Sequence, residues 1–160
     1  MIEAPAYEGC QVPQDLLYDV VNDVWVRREG DEAVVGMTDA AQTRCGKLVA
    51  ISFRPVGKTI PRGRGLAAIE SAKWVGPVPS PLTGVVLVNN EDAFRRDLLV
   101  ANKDPYGDGW MVRLRVSDPA GFDDLMPGPA ALEAYRIKID ELGLRCIRCA
   151  DGPMPMMGDF

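Results

Sequence analysis

One lysine stands where the chain is shaped to show it. In IESAKWVGPVPSPLTGVV, residues 69–86, Lys73 follows a short apolar run and precedes Gly76, Pro77, Pro79, Pro81 and Gly84. Each proline fixes φ and lowers conformational freedom, so the chain leaving Lys73 is stiff and keeps the amine recognisable to a modifying enzyme. Taken alone, the segment also reads as an ordinary solvated turn. A second chemical signal is the pair Cys146 and Cys149, spaced C-x-x-C between Arg145 and Arg148. Nearby positive charge lowers a thiol pKa, so the pair is a candidate redox or sulfur-relay site; unpaired tail thiols are the other reading. A zinc site would need Cys10 and Cys45 to converge on the same two residues, and no metal site is expected. The chain contains no histidine. That removes Ser-His-Asp and Cys-His catalysis and the commonest general base, and with them a conventional hydrolase.

The elements that must position these residues are mostly short strands. VWVR (24–27) and EGDEAVVGM (29–37) read as two strands across a Gly/Asp turn. TDAAQTRCG (38–46) reads as a short helix, with Asp39 and Gln42 as a capping pair, Gly46 as the stop and Cys45 packed as a small hydrophobe. KLVAISFRPVG (47–57), LAAIES (66–71) and GVVLVNN (84–90) read as strands, and Lys73 falls in the connection between the last two. EDAFRRDLLVAN (91–102) suggests a helical turn or two, KDPYGDG (103–109) a dense turn, and WMVRLRV (110–116) a half-buried antiparallel strand. In PGPAALEAYRIKIDELG (127–143) the spacing of Leu132, Tyr135, Ile139 and Leu142 predicts a terminal helix closed by Gly143. Residues 144–160 form a Cys-, Met- and Pro-rich tail, with Met154, Met156 and Met157 in it, so the main domain is expected to span residues 1–143. The expected fold is mainly β, a small sandwich or barrel with helical decorations.

A chain of 160 residues suggests one domain. Its net charge of −5 argues against nucleic acid as a partner; basic residues gather only in GKTIPRGRG (57–65). No signal peptide and no apolar run near the length of a membrane span is visible, so the protein is expected to be soluble and cytoplasmic, away from membranes. GKT (57–59) lacks the first glycine of a Walker motif, and GRG (63–65) lacks dinucleotide-site context.

Taken together, VGMTDAAQTRCGKLVAISFRPVG, AAIESAKWVGPVPSPLTGVVLVNNE and NKDPYGDGWMVRLRVSD resemble the H protein of the glycine cleavage system. The family's TD-A-Q helix, ESVKA lysine hairpin, SP-x-x-G-x-V strand and DPYG-x-GW turn occur here in order, and the likeness runs from residue 24 to about 118. It implies a lipoyl-domain-like flattened β-barrel/sandwich hybrid with a short internal helix and a C-terminal helix. It also implies a carrier, not an enzyme, with lipoate bound covalently to Lys73 in ESAK. Glu70 then becomes a candidate for recognition by the lipoate-attaching enzyme, or else a solvated strand-edge acid.

The chain departs from the family at Asp23-Val24-Trp25, where His-Glu-Trp is common, at Cys45 and Lys47, and in the extension carrying Arg145-Cys146-Ile147-Arg148-Cys149. In these respects it is most similar to the lipoate-binding proteins (LbpA) of bacterial sulfur oxidation. That likeness implies a heterodisulfide reductase-like complex as partner, with sulfur-bound intermediates as the cargo, since thiolates exchange by attack on sulfur. The alternative is the glycine cleavage role, with glycine decarboxylase, aminomethyltransferase and dihydrolipoamide dehydrogenase as partners and an aminomethyl group as cargo. A non-lipoylated scaffold or binding protein, and a dithiol oxidoreductase acting through Cys146 and Cys149, are the readings of other classes.

Overall fold

The structure, a computed structural model, describes residues 4–147. The chain begins with a hairpin of β1 (Ala6–Tyr7) and β2 (Cys10–Gln11), then runs through β3 (Leu17–Asp19), β4 (Val24–Glu29) and β5 (Glu32–Met37) into α1 (Asp39–Cys45). β6 (Leu48–Phe53), β7 (Thr59–Ile60), β8 (Gly65–Ser71), β9 (Val75–Pro79) and β10 (Gly84–Asn89) follow, then α2 (Glu91–Arg96) and α3 (Val100–Lys103). β11 (Val112–Val116), a 3₁₀ segment (Pro119–Asp124), β12 (Met126–Pro127) and α4 (Gly128–Leu142) complete it.

Seven strands form one sheet in the order β12-β3-β4-β5-β11-β10-β7, and three form a second, β6-β8-β9. Every pairing is antiparallel. The sheets do not close into a barrel; they make the lipoyl-domain-like β-sandwich implied by the sequence, with α1 as its internal helix and α4 at its end. Side chains alternate across a strand, and here both faces of the large sheet are covered. Val24 and Val26 of β4 join a core shared with the small sheet, including Leu66, Ile69 and Val78. Trp25, between them, points to a second core with Tyr18, Val34 and α4. That is why VWV is apolar without a break.

Four features differ from the expectations above. The Pro/Gly-rich stretch after Lys73 is not a loop: Val75–Pro79 is β9, pairing with β8 through Glu70↔Val75 and Ile69↔Gly76. As the outer strand of its sheet, β9 can hold prolines that no central strand would admit. The cap of α1 is Thr38, whose Oγ1 accepts from Ala41 N at 3.2 Å, while the Asp39 carboxylate accepts from Gln11 N at 2.9 Å. The buried stripe of α4 is Ala131, Tyr135 and Ile139, an i, i+4, i+8 row; Leu132 is only partly covered and Leu142 is exposed.

The largest correction concerns the cysteines. Cys146 is not a free thiol paired by spacing with Cys149: it forms a disulfide with Cys10, so the N-terminal hairpin is bound to the segment after α4. Cys10 lies on β2 beneath that segment, and Cys146 is only 8% exposed. In this structure Cys146 is therefore bonded to Cys10 and is no free partner for Cys149, and Cys10 is no free zinc ligand. Among the described residues no group of three metal-binding side chains occurs. Cys149, Arg148 and the three tail methionines lie outside the described residues. Among the described residues, no helix is long and apolar enough to cross a membrane.

Candidate functional site

Lys73 is exposed in the connection between β8 and β9. The strands separate only after the Glu70↔Val75 pair, so four residues, Ser71 to Trp74, make the turn. Ser71 holds it together. Its backbone N–H donates to Trp74 O at 2.8 Å. Its Oγ accepts from Lys73 N at 3.2 Å and Trp74 N at 3.1 Å, and donates to Cys45 O at 2.5 Å. One buried hydroxyl thus closes the turn and ties it to the end of α1. Such side-chain-to-backbone bonds are what serine offers in a turn.

The end of α1 lies directly beneath the lysine. A Cβ placed on Gly46 would stand 3.5 Å from Lys73 Cδ and 3.6 Å from Cε, so the methylene stem crosses the glycine. Gly46 also has φ of +79°, in the range where L side chains are strained, as the stop after α1 requires. The stem runs into a cavity of about 510 Å³ that Lys73 shares with Gln42, Arg44, Gly46, Lys47, Asn102 and Arg145. A neighbouring groove of about 360 Å³ on the other side of Lys73 is walled by Val21, Ile69, Trp74 and Pro77. Trp74 is 43% and Val75 70% exposed, so an apolar flank accompanies the lysine.

Charge near the lysine is unevenly committed. Asp23, almost fully buried, accepts from Arg44 Nη1 at 2.8 Å, Lys138 Nζ at 2.8 Å and Tyr135 Oη at 3.0 Å. Its φ is +59°, a conformation Asp tolerates better than most residues. Burial, with the Asp23 carboxylate beside it, pushes the Tyr135 phenol well above its ordinary value, so it stays a donor. Asp39 is engaged at Gln11. Arg44, Lys47 and Arg145 line the cavity with Asp39 as the single acid among its described residues, while Arg44 pairs with Asp23 and Arg145 with Glu8.

Cys45, on the last turn of α1, is a buried free thiol. Burial pushes it above its ordinary value, and the Ser71 hydrogen bond and Lys73 charge pull it back. The DPYGDGW turn serves the site at a distance. Tyr106 Oη donates to Gln11 O at 2.6 Å and accepts from Asp39 N at 3.0 Å, which seats the start of α1. Trp25 Nε1 donates to Pro105 O at 2.9 Å, and a Cβ at Gly109 would meet Ala101 Cα at 2.5 Å.

Of the residues singled out from sequence, Lys73 and Glu70 sit together, Glu70 exposed on β8 opposite Val75. Cys146 lies elsewhere, in its disulfide, although the flanking Arg145 and Ile147 reach the wall of the lysine cavity. Sequence reading passed over Ser71 and Asn102 and took Gln42 only as a capping residue. A serine directly before the turn was a signal for the first; nothing local marked the other two as partners across sixty residues.

Residues 16–137 match the family model described as "Glycine cleavage H-protein". A relative from Aquifex aeolicus, "Glycine cleavage system H protein 2", is 39% identical over 142 residues, covering 88% of each chain. One from Sulfurisphaera tokodaii, "Probable glycine cleavage system H protein 2", is 40% identical over 143 residues, covering 88% of this chain and 96% of that one. Among solved structures, a glycine cleavage system H protein from Mycobacterium marinum superposes with a TM-score of 0.63 at 25% identity, over 83% of this chain and all of that one.

Proposed function

The chain belongs to the glycine cleavage H-protein family, and from that premise we propose that it is a carrier whose lipoate is joined through an amide to Lys73. Members of the family are lipoyl carriers, not enzymes, and hold lipoate on a lysine. Lipoate supplies a dithiolane on a long chain, tethered so that its effective concentration at a partner site is high. The observation that supports Lys73 is its place: an exposed lysine at a four-residue strand connection, closed by Ser71, with its stem crossing Gly46 into a cavity. This chain's residues do the presenting: Ser71 fixes the turn, α1 supports the stem, and Trp74 and Val75 give a partner an apolar surface. Glu70, exposed on the adjoining strand, is read as a contact for the lipoate-attaching enzyme.

The test is the intact mass of protein from its native host, with peptide mapping across Lys73. One lipoyl amide, at Lys73, is expected; an unmodified Lys73 in cells that lipoylate other proteins overturns the assignment and leaves a scaffold. Replacing Glu70 by Ala should slow attachment without changing the melting temperature.

For the cargo, the names borne by the relatives favour the glycine cleavage role, with glycine decarboxylase, aminomethyltransferase and dihydrolipoamide dehydrogenase as partners. The sulfur-oxidation reading, with a heterodisulfide reductase-like complex, draws on a different observation. An aminomethyl group is a cation at neutral pH, whereas the cavity beside Lys73 is lined by Arg44, Lys47 and Arg145 against one acid, Asp39, although Arg44 and Arg145 are themselves paired with Asp23 and Glu8. That surround suits an anionic sulfur end group better. Reconstitution separates the two: turnover with glycine decarboxylase supports the first, and sulfur-dependent association with the reductase-like complex supports the second.

A further inference from the structure

Two polar atoms in the lysine cavity lack what a buried polar atom needs. Gln42 and Asn102 are 6% and 7% exposed. Asn102 Nδ2 donates to Gln42 Oε1 at 3.0 Å and to Gly46 O at 3.1 Å. Those bonds fix both carboxamide orientations, because a backbone carbonyl can only accept. What remains is one donor, Gln42 Nε2, and one acceptor, Asn102 Oδ1, both buried and both without a partner among the described residues. Orphans of this kind are rare and costly in folded proteins and call for an explanation.

Both residues line the cavity that Lys73 enters, and Asn102 is bonded to the carbonyl of the glycine beneath the lysine stem. A group carried on the lysine side chain at that wall is placed to serve both atoms. An ammonium offers donors only, so it could serve Asn102 Oδ1 but never Gln42 Nε2. An amide offers one acceptor and one donor. We propose that Gln42 and Asn102 form a receptor for the amide on acylated Lys73, Gln42 Nε2 donating to its carbonyl and Asn102 Oδ1 accepting its N–H. Acylation then completes the hydrogen bonding of the cavity, and the arm pivots beyond the docked amide and not at the lysine backbone. The two carboxamides are positioning residues: they set where the free part of the arm begins. The meaning of this site rests on Lys73 being the lipoyl-lysine, but its chemistry needs only an amide there.

That separation makes the test independent of any ligase. The full-length chain is made with ¹⁵Nε-labelled acetyl-lysine at position 73 by nonsense suppression, and exchange of the side-chain N–H is followed by NMR. Docking predicts exchange about tenfold or more slower than in free acetyl-lysine amide, as one to two net hydrogen bonds allow. In the Gln42→Met background, a match in shape without the donor, the protection should fall towards the free rate, and melting of the unacylated variant checks that it folds. Acetylation should also raise the melting temperature of the parent and not of the variant. Exchange at the free rate in the parent would show the carboxamides relaxing against each other and would overturn the proposal. Protected exchange in the acetylated chain, with native protein found unmodified at Lys73, would support the amide site while removing the lipoyl reading; free exchange with native lipoylation found would do the reverse.

Discussion

The turn at Lys73 and the hub at Asp23 lie on either side of Arg44, and they are held in opposite ways. The turn depends on one buried hydroxyl, that of Ser71, with Ala72, Lys73 and Trp74 exposed. The hub is a buried carboxylate with three donors from two helices, Arg44, Tyr135 and Lys138. Arg44 also lines both hollows beside the lysine. The residue proposed to be reached by other proteins sits on a lightly anchored element, and the wall behind it is held by redundant contacts. This is the division expected when moving or recognised parts come from the low-stability end of a structure.

Disturbing the hub should therefore cost most. Asp23→Ala leaves Lys138 and Arg44 without their partner and places alanine at a positive φ, so denaturant unfolding should show a loss of about 3–5 kcal/mol, with Lys73 still open to acylation. Next is the disulfide: reducing it, or replacing Cys10 and Cys146 by serine, frees a link of 136 residues and should cost about 2–4 kcal/mol. Because Leu144, Arg145 and Ile147 line the lysine cavity, the same change should alter amide chemical shifts near Lys73; shifts confined to the termini would show that the strap is only structural. Ser71→Ala is expected to cost about 1–3 kcal/mol, the range for stranding buried groups, and to speed hydrogen exchange at Lys73 and Trp74 selectively. If global stability falls as far as for Asp23→Ala, the contrast between the two regions is wrong.

The smallest effect concerns Cys45. Its folded pKa is raised, so its contribution to stability is complete below the ordinary thiol value and is lost as pH rises from there towards the raised one. Alkylation should be slow at neutral pH. Acylating Lys73 removes a charge that lowers the thiol pKa, so it should slow alkylation further; a faster rate would mean that acylation opens the end of α1.

Four strands of the large sheet (β4, β5, β10 and β11), the α1 span and the limits of α4 were legible because they rest on local patterns: alternation, a stop glycine, a helical period; β3, β7 and β12, two or three residues long, were not. The lysine proposed as the attachment site was singled out by resemblance, through four linked motifs. The β9 strand was not legible, since proline and glycine argue for loops and only an edge position, known from the sheet order, admits them. The Ala131 stripe was hidden because alanine gives a weak periodic signal and Leu132 a strong one. The cysteine pairing could not be read, as a C-x-x-C spacing is local evidence and a disulfide depends on which chain ends meet.

What the sequence determined by itself is the mainly β fold, the family and the place of a lysine between stiffened strands. Those follow from short-range propensities and from motifs a few residues long. What only the tertiary structure decided is what surrounds that lysine. Ser71 reaching Cys45, Asn102 meeting Gln42, Arg44 meeting Asp23 and Cys10 joining Cys146 are contacts between segments 21 to 136 residues apart. They form because burial leaves each polar group to find a partner wherever the packed chain supplies one, and no local pattern records that choice.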